Sequence, residues 1–241
     1  MISVSLLAAA IAFAIGGIPF GYLTGRLVLK DDIRRHGSGN TGATNVARTL
    51  GWKWGVLVLL LDALKGIVAV RVAPLLAETA LTAAASAPAT LLPVISGFTA
   101  ILGHMYPVWL RLRGGKGVAT ALGVVVMLTP LPSLTATAAF AVSFAVCRIV
   151  SLSSIIASVA FAIAYFVITG GRSLQESEIP TTVFALLIPA MIVWKHRSNI
   201  GRLLAGTEGR FQAAQTSAPQ PNQNDIAASV RPHESEQQTP E

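Results

Sequence analysis

The strongest constraint on this 241-residue chain is a series of apolar runs separated by short polar stretches. The first spans Ile2 to Leu23, and as a helix rising about 1.5 Å per residue it would cover the ~30 Å hydrocarbon core of a bilayer. Others lie over Trp54 to Leu76, Ala89 to Leu102, Gly117 to Leu128, Ser133 to Val150, Ile155 to Ile168 and Thr181 to Trp194. In lipid every backbone polar group needs an internal partner, so such runs fold as helices. The expectation is an all-α, polytopic integral membrane protein with seven transmembrane helices. Pro130 and Pro132 blur one boundary, and a five-span count stays open. The charged fraction agrees, at 12% against about 25% in soluble proteins.

Charge distribution orients the chain. With seven spans, nearly all Lys and Arg residues outside the spans fall on one side, and the other side holds only Arg71 and Arg172. The positive-inside rule makes the basic side cytoplasmic, with the N-terminus outside and the C-terminus inside. A net charge of +7 raises nucleic acid as a partner, but the basic residues sit between spans and not on a soluble domain, which argues against it. The N-terminal run lacks a basic leader and reads as a first span. The single cysteine, Cys147, cannot form an internal disulfide. Residues 1–210 form the membrane domain. The Gln/Pro/Ser-rich stretch 211–241 has too little apolar content to order itself and is expected to be disordered.

Three polar clusters meet on the basic side. The first, GSGNTGATNVART from Gly37, offers Ser38, Asn40, Gly42, Asn45 and Arg48. Neutral hydrogen-bonding groups ending on an arginine suit a phosphate or hydroxyl ligand, although the same composition also makes a plain turn. The second, GHMYPVWLRLRGGKGVAT from Gly103, holds His104, Gly114, Gly115, Lys116 and Gly117. Glycine lets backbone N–H groups approach a ligand, and lysine at a helix start adds charge for an anion. It is not a Walker A loop, because residue 117 is glycine and not Ser or Thr. The third, from Lys195, holds His196, Asn199, Arg202 and Glu208. Headgroup anchoring would explain its basic residues but not its Asn or its Gly-Thr-Glu. Asp62 and Lys65, three apart in the second span, share a helix face. Charge is expensive there, so they either pair to stitch helices or serve the site.

SGNTGATNVAR from Ser38, GHMYPVWLRLRGGKGVAT from Gly103 and HRSNIGRLLAGTE from His196 together resemble the signature motifs of the bacterial acyl-phosphate:glycerol-3-phosphate acyltransferases, the PlsY family. LDALKG from Leu61 and SLSS from Ser151 also look like family segments, and the resemblance covers about residues 1–210. It implies transfer of an acyl group from acyl phosphate to the 1-hydroxyl of glycerol 3-phosphate, without a cofactor or metal. It also implies a multi-pass protein of the bacterial inner membrane with its site facing the cytoplasm. Membrane lipid is a further partner, and the enzyme that makes acyl phosphate is a candidate one.

On that reading Arg48 and Lys116 bind phosphate. Ser38, Asn40 and Asn45 orient substrate oxygens, with Gly42 in the same turn. The Gly114–Gly117 turn offers N–H groups. His104 is orienter or general base, and Asn199, Arg202, Glu208 and His196 close the site. The His-x4-Asp signature of other acyltransferases is absent, since Asn40, Val108 and Ile200 follow His36, His104 and His196 at that spacing. The competing reading is a transporter for an organic phosphate, but transporters carry polar groups at midmembrane, whereas here they crowd one face.

Overall fold

The computed structural model describes residues 2–80 and 90–212, and they contain helices and turns with no strand among the described residues. The main helices are α1 (Ile2–Gly16), α2 (Phe20–Thr24), α3 (Ala43–Leu50), α4 (Trp52–Ala80), α5 (Leu91–Met105), α6 (Val118–Leu128), α7 (Pro130–Cys147), α8 (Val150–Thr169), α9 (Ile179–Lys195) and α10 (Arg197–Leu204). Helix covers most of each of the seven expected apolar runs among the described residues, with breaks at residues 17–19 in the first and 148–149 in the fifth. Among the described residues, four helical stretches are long and apolar enough to cross a membrane: Ile2–Leu29, Leu91–Leu110, Pro130–Cys147 and Val150–Leu174. A fifth arises if α9 and α10, bent by 58°, count as one span. α6 has only 11 residues, about 16 Å of helix, and α4 carries charges within its length.

The helices pack by close approach of small residues. Between helices in lipid there is no hydrophobic driving force, so van der Waals contact at short range has to hold them. α1 meets α5 where Gly16 lies against Ala100 and Gly103 against Phe13; a Cβ at Gly16 would fall 2.0 Å from the Ala100 carbonyl oxygen. α4 meets α6 the same way, through Gly66 against Thr120 and Gly123 against Ala63. Ala12, Ala69, Ala73 and Ala100 fill the seam of α1, α4 and α5. Larger side chains, including Ile101, Val124, Phe161, Phe184 and Ile188, fill the centre among α5, α6, α8 and α9. The outside is apolar: Leu134, Val142 and Val146 on α7 are all exposed, as a lipid-facing surface requires.

Local signals set the breaks. α6 ends at Leu128, and Pro130 opens α7 at a position where its missing N–H leaves nothing unpaired. The turn after α7 is short. It comprises Arg148, in the left-handed region at φ 55°, and Ile149, and α8 begins at Val150. The SLSS stretch therefore lies inside the helix and not in a turn. Its serines return hydrogen bonds to the preceding turn, Ser153 to Ile149 O and Ser154 to Val150 O. The first polar cluster likewise divides, half loop and half α3.

At the far end, Phe211 is docked: its amide donates to Arg148 O at 2.6 Å and its ring meets Phe144 edge-on. Order thus extends past the expected boundary at residue 210. The rest of the expected tail, from 213, lies outside the described residues, as do residues 81–89.

Candidate active site

The three clusters come together at one end of the bundle around a single cavity of about 330 Å³. Ser38, Asn40, Gly42, Asn45, Arg48, His104, Lys116, Gly117, His196, Asn199 and Glu208 all line it.

The first cluster folds around Asn45. Gly37 and Gly39 adopt φ of 57° and 70°, which lets the loop turn back on the start of α3. Asn45 Oδ1 accepts from Ser38 N at 2.7 Å and from Ser38 Oγ at 3.1 Å. Its Nδ2 donates toward the carbonyls of Ile33, His36 and Asn40. Asn45 is 1% exposed. It was expected to orient substrate oxygens, and although it borders the cavity, both ends of its amide are committed to the loop, where it holds Ser38. Asn40 Oδ1 is also engaged, by Gly42 N at 2.8 Å. Asp32 and Arg34 pair at 2.7 Å, and this hydrogen bond holds the Asp32 carboxyl below the usual carboxylate range despite partial burial. Arg34 also donates to Leu110 O, tying this loop to the second cluster.

The second cluster differs from expectation. Gly114 N donates to Met105 O and Gly115 N to His104 O. These amides satisfy the last carbonyls of α5, the groups a helix end leaves unpaired. Gly114 and Gly115 are absent from the cavity wall, so they do not present N–H groups to a ligand as expected. Gly115 instead makes room: a Cβ there would lie 2.0 Å from His104 Nε2. The wall is formed by Lys116, Gly117, Val118 and Ala119, where α6 begins with Gly117 at φ 85°. The helix dipole there favours an anion.

The third cluster is a relay of hydrogen bonds. Lys116 Nζ donates to Asn199 Oδ1, and Asn199 Nδ2 donates to Glu208 Oε1 at 2.6 Å. Glu208 Oε1 also accepts from Ser151 Oγ at 2.6 Å, and Oε2 accepts from Arg202 Nε at 2.6 Å. Arg202 is thus a support behind Glu208 and is absent from the cavity wall. Burial works against ionisation of Glu208, but the hydrogen bonds from Ser151, Asn199 and Arg202 hold its carboxyl below the usual range. Arg48 Nη2 reaches Gly209 O at 3.2 Å and closes the ring of clusters. His196 Nδ1 sits 2.8 Å from Ile192 O, an acceptor only, so Nδ1 carries the proton and neutral His196 keeps Nε2 as an acceptor.

Electrostatically the head of the cavity suits an anion. Burial pushes the Lys116 ammonium down to about 8; Glu208 opposes this, while Arg202, Arg48 and Lys195 add to it. A bound dianion would relieve that crowding of cations.

Below this polar head the cavity continues as an apolar groove. Leu122 and Val125 of α6, Ala136 and Phe140 of α7, Phe161 of α8 and Ile188 of α9 line it. From Ser151 to Phe161 along α8 is about 15 Å of helix. Further polar residues line the cavity as well: Thr44, Asp62, Thr137, Ser151, Ser154 and Ser158. Ser151 stands in the SLSS segment, which marked it as part of a polar stretch, and Asp62 stands in LDALKG.

The glycerol-3-phosphate acyltransferase family model matches residues 6–206. Glycerol-3-phosphate acyltransferases of Myxococcus xanthus and Gloeobacter violaceus are each 44% identical to the chain, over 83% and 84% of it and 96% and 92% of their own lengths. Two crystal structures of PlsY, an integral membrane glycerol 3-phosphate acyltransferase, are similar in fold. The glycerol 3-phosphate form has a TM-score of 0.72 at 38% identity, with 86% of this chain and 96% of that one covered. The lysophosphatidic acid form has a TM-score of 0.69 at the same identity, with 86% and 95% covered.

Proposed function

This chain belongs to the glycerol-3-phosphate acyltransferase family, and from that premise we propose that it transfers an acyl group from acyl phosphate to the 1-hydroxyl of glycerol 3-phosphate. The observation that carries this reading is the continuity of one cavity, cationic at its head and apolar below. A phosphate-bearing headgroup fits among Arg48, Lys116 and Ser38, and an alkyl chain fits between α6, α7, α8 and α9. Hydrogen bonding of Lys116 to Asn199 supports a pre-positioned ammonium, which lowers the ordering cost of binding.

In the reaction the C1 hydroxyl oxygen attacks the acyl carbonyl carbon. The bond from that carbon to the phosphate oxygen breaks, and phosphate leaves with the electron pair. The hydroxyl proton passes to a phosphate oxygen or to an imidazole. Because the donor is already activated, the protein needs position and charge neutralisation more than a covalent nucleophile. Arg48 and Lys116 neutralise phosphate. Ser38, held by Asn45, orients a substrate oxygen, and Asn40 and Gly42 shape the same loop. Gly117 opens the start of α6 to the anion. His196 and Asn199 line the far wall, with Glu208 and Arg202 fixing Asn199. His104 orients the hydroxyl or takes its proton.

The seven-span arrangement, with the clusters on the cytoplasmic face of a bacterial inner membrane, is part of the same proposal. Basic residues crowd that end, and exposed tryptophans support it as an interface: Trp52, Trp54, Trp109 and Trp194 all lie beside the clusters. The test is direct. Purified chain in nanodiscs receives acyl phosphate, acyl-CoA or acyl carrier protein with labelled glycerol 3-phosphate, and lysophosphatidic acid is measured. Product from acyl phosphate alone is the expected result. Product only from a thioester donor would overturn the donor, and uptake into vesicles without conversion would overturn the chemistry.

A further inference from the structure

The second span carries a charged pair at a depth where charge is costly, and the pair does more than join helices. Lys65 does join them: its Nζ donates to Ile18 O at 2.8 Å, where the backbone breaks between α1 and α2, and lies over the Phe20 ring. It also sits 2.7 Å from Asp62 Oδ1. If stitching were the whole role, Asp62 would be satisfied by Lys65 and sealed from the cavity. Instead Asp62, although paired with Lys65, lines the cavity while Lys65 does not.

Asp62 Oδ1 lies 3.5 Å from His104 Nδ1. The opposite edge of that ring presses on Gly115, whose missing Cβ would otherwise stand 2.0 Å from Nε2. The imidazole is therefore gripped on two edges, by a carboxylate and by the turn that leads into Lys116. A carboxylate facing Nδ1 favours the tautomer with its proton there and leaves Nε2 as the acceptor, and it fixes the ring plane. Distances of this size shorten when substrate closes a site.

We propose that Asp62 is a positioning residue for acyl transfer, acting through His104 to set the tautomer and orientation of the imidazole. The inference rests on the acyl-transfer reading above. It holds whether His104 orients the hydroxyl or accepts its proton, because both require a fixed imidazole.

The experiment uses full-length chain in nanodiscs, with initial rates measured against glycerol 3-phosphate at saturating acyl phosphate. The variants are Asp62→Asn, Asp62→Glu, His104→Gln and the double Asp62→Asn/His104→Gln. Asp62→Asn should lower kcat by about 10- to 100-fold while KM changes little, as for other residues that orient a functional histidine. Asp62→Glu should recover part of the loss. The double variant should be no slower than His104→Gln alone, since residues that act through one another are not additive. Wild-type kcat in Asp62→Asn, a loss confined to KM, or multiplied losses in the double variant would overturn the proposal. If Asp62→Asn fails to fold, Asp62→Asn/Lys65→Met removes both charges together, which a buried pair tolerates far better than loss of one partner. That variant should show the same kcat loss, and wild-type kcat in it would equally overturn the idea. Should the wild-type chain prefer another acyl donor, the donor assignment falls, and the same variants assayed with that donor still decide the role of Asp62.

Discussion

Lys116 Nζ donates to Asn199 Oδ1 at 2.5 Å, joining the start of α6 to α10 across 83 positions of sequence. Asn199 in turn donates to Glu208, which Ser151 and Arg202 also hold. Lys116 is thus placed by side chains drawn from α6, α8, α10 and the segment after it.

Replacing Asn199 by Ala should release Lys116 and deprive Glu208 of one donor. A hydrogen bond to a charged group contributes about 1.5–3 kcal/mol, so kcat/KM for glycerol 3-phosphate should fall roughly 10- to 100-fold. Steady-state kinetics with acyl phosphate saturating would check this. An unchanged kcat/KM would mean that the lysine holds its place without Asn199.

Affinity for the phosphate-bearing substrate should decline as pH rises through about 8. The Lys116 pKa is lowered to about 8, so below that value the ammonium is present and attracts the anion, and above it the charge is lost. The limb is therefore on the alkaline side of a plot of kcat/KM against pH. Lys116→Arg keeps its charge throughout and should abolish the limb, even if overall activity drops. An identical alkaline limb in that variant would assign the titration to another group.

Gly115→Ala should inactivate without a direct contact to substrate. The added methyl would meet His104 at Nε2, and the ring is 7% exposed. A loss of kcat of about 100-fold is expected for a displaced group at a reacting centre. Gly171→Ala is the control, because a Cβ there meets nothing within 4 Å. Equal activity of the two variants would separate His104 from catalysis.

The groove floor should govern chain length. Ala136 lines the groove together with Val125, Phe161 and Ile188, and all four belong to the buried core. Ala136→Phe fills that space and should move preference to shorter acyl phosphates while leaving KM for glycerol 3-phosphate near wild type. Competition between long- and short-chain acyl phosphates, read by mass spectrometry of the lysophosphatidic acid, measures it. Unaltered chain preference would place the alkyl chain elsewhere.

Much of this arrangement is legible in the chain. The apolar runs announce helices because lipid leaves the backbone no other way to pair its polar groups. The breaks at Pro130 and Arg148 are local chemistry, as is the gathering of Ser38, Arg48, Lys116 and Asn199 on the basic side. Less legible is the division of labour inside each motif. Asn45 and Ser38 look alike as polar residues in a Gly-rich stretch and both border the cavity, yet the Asn45 amide is spent bracing the loop and holding Ser38. Gly114 and Gly115 look like anion-binding amides, but α5 ends on unpaired carbonyls and takes them.

Sequence alone determined which segments are helices, which end of the bundle is basic and which residue types gather there, because those follow from periodicity, charge and neighbours along the chain. Only the tertiary structure decided which of those residues face one cavity and which stand behind them. The His-Asp pair shows why. No aspartate follows any histidine at the spacing of other acyltransferases, yet Asp62 on α4 comes within 3.5 Å of His104 on α5. That meeting depends on how two helices cross, a property of small-residue packing between segments that no local pattern records.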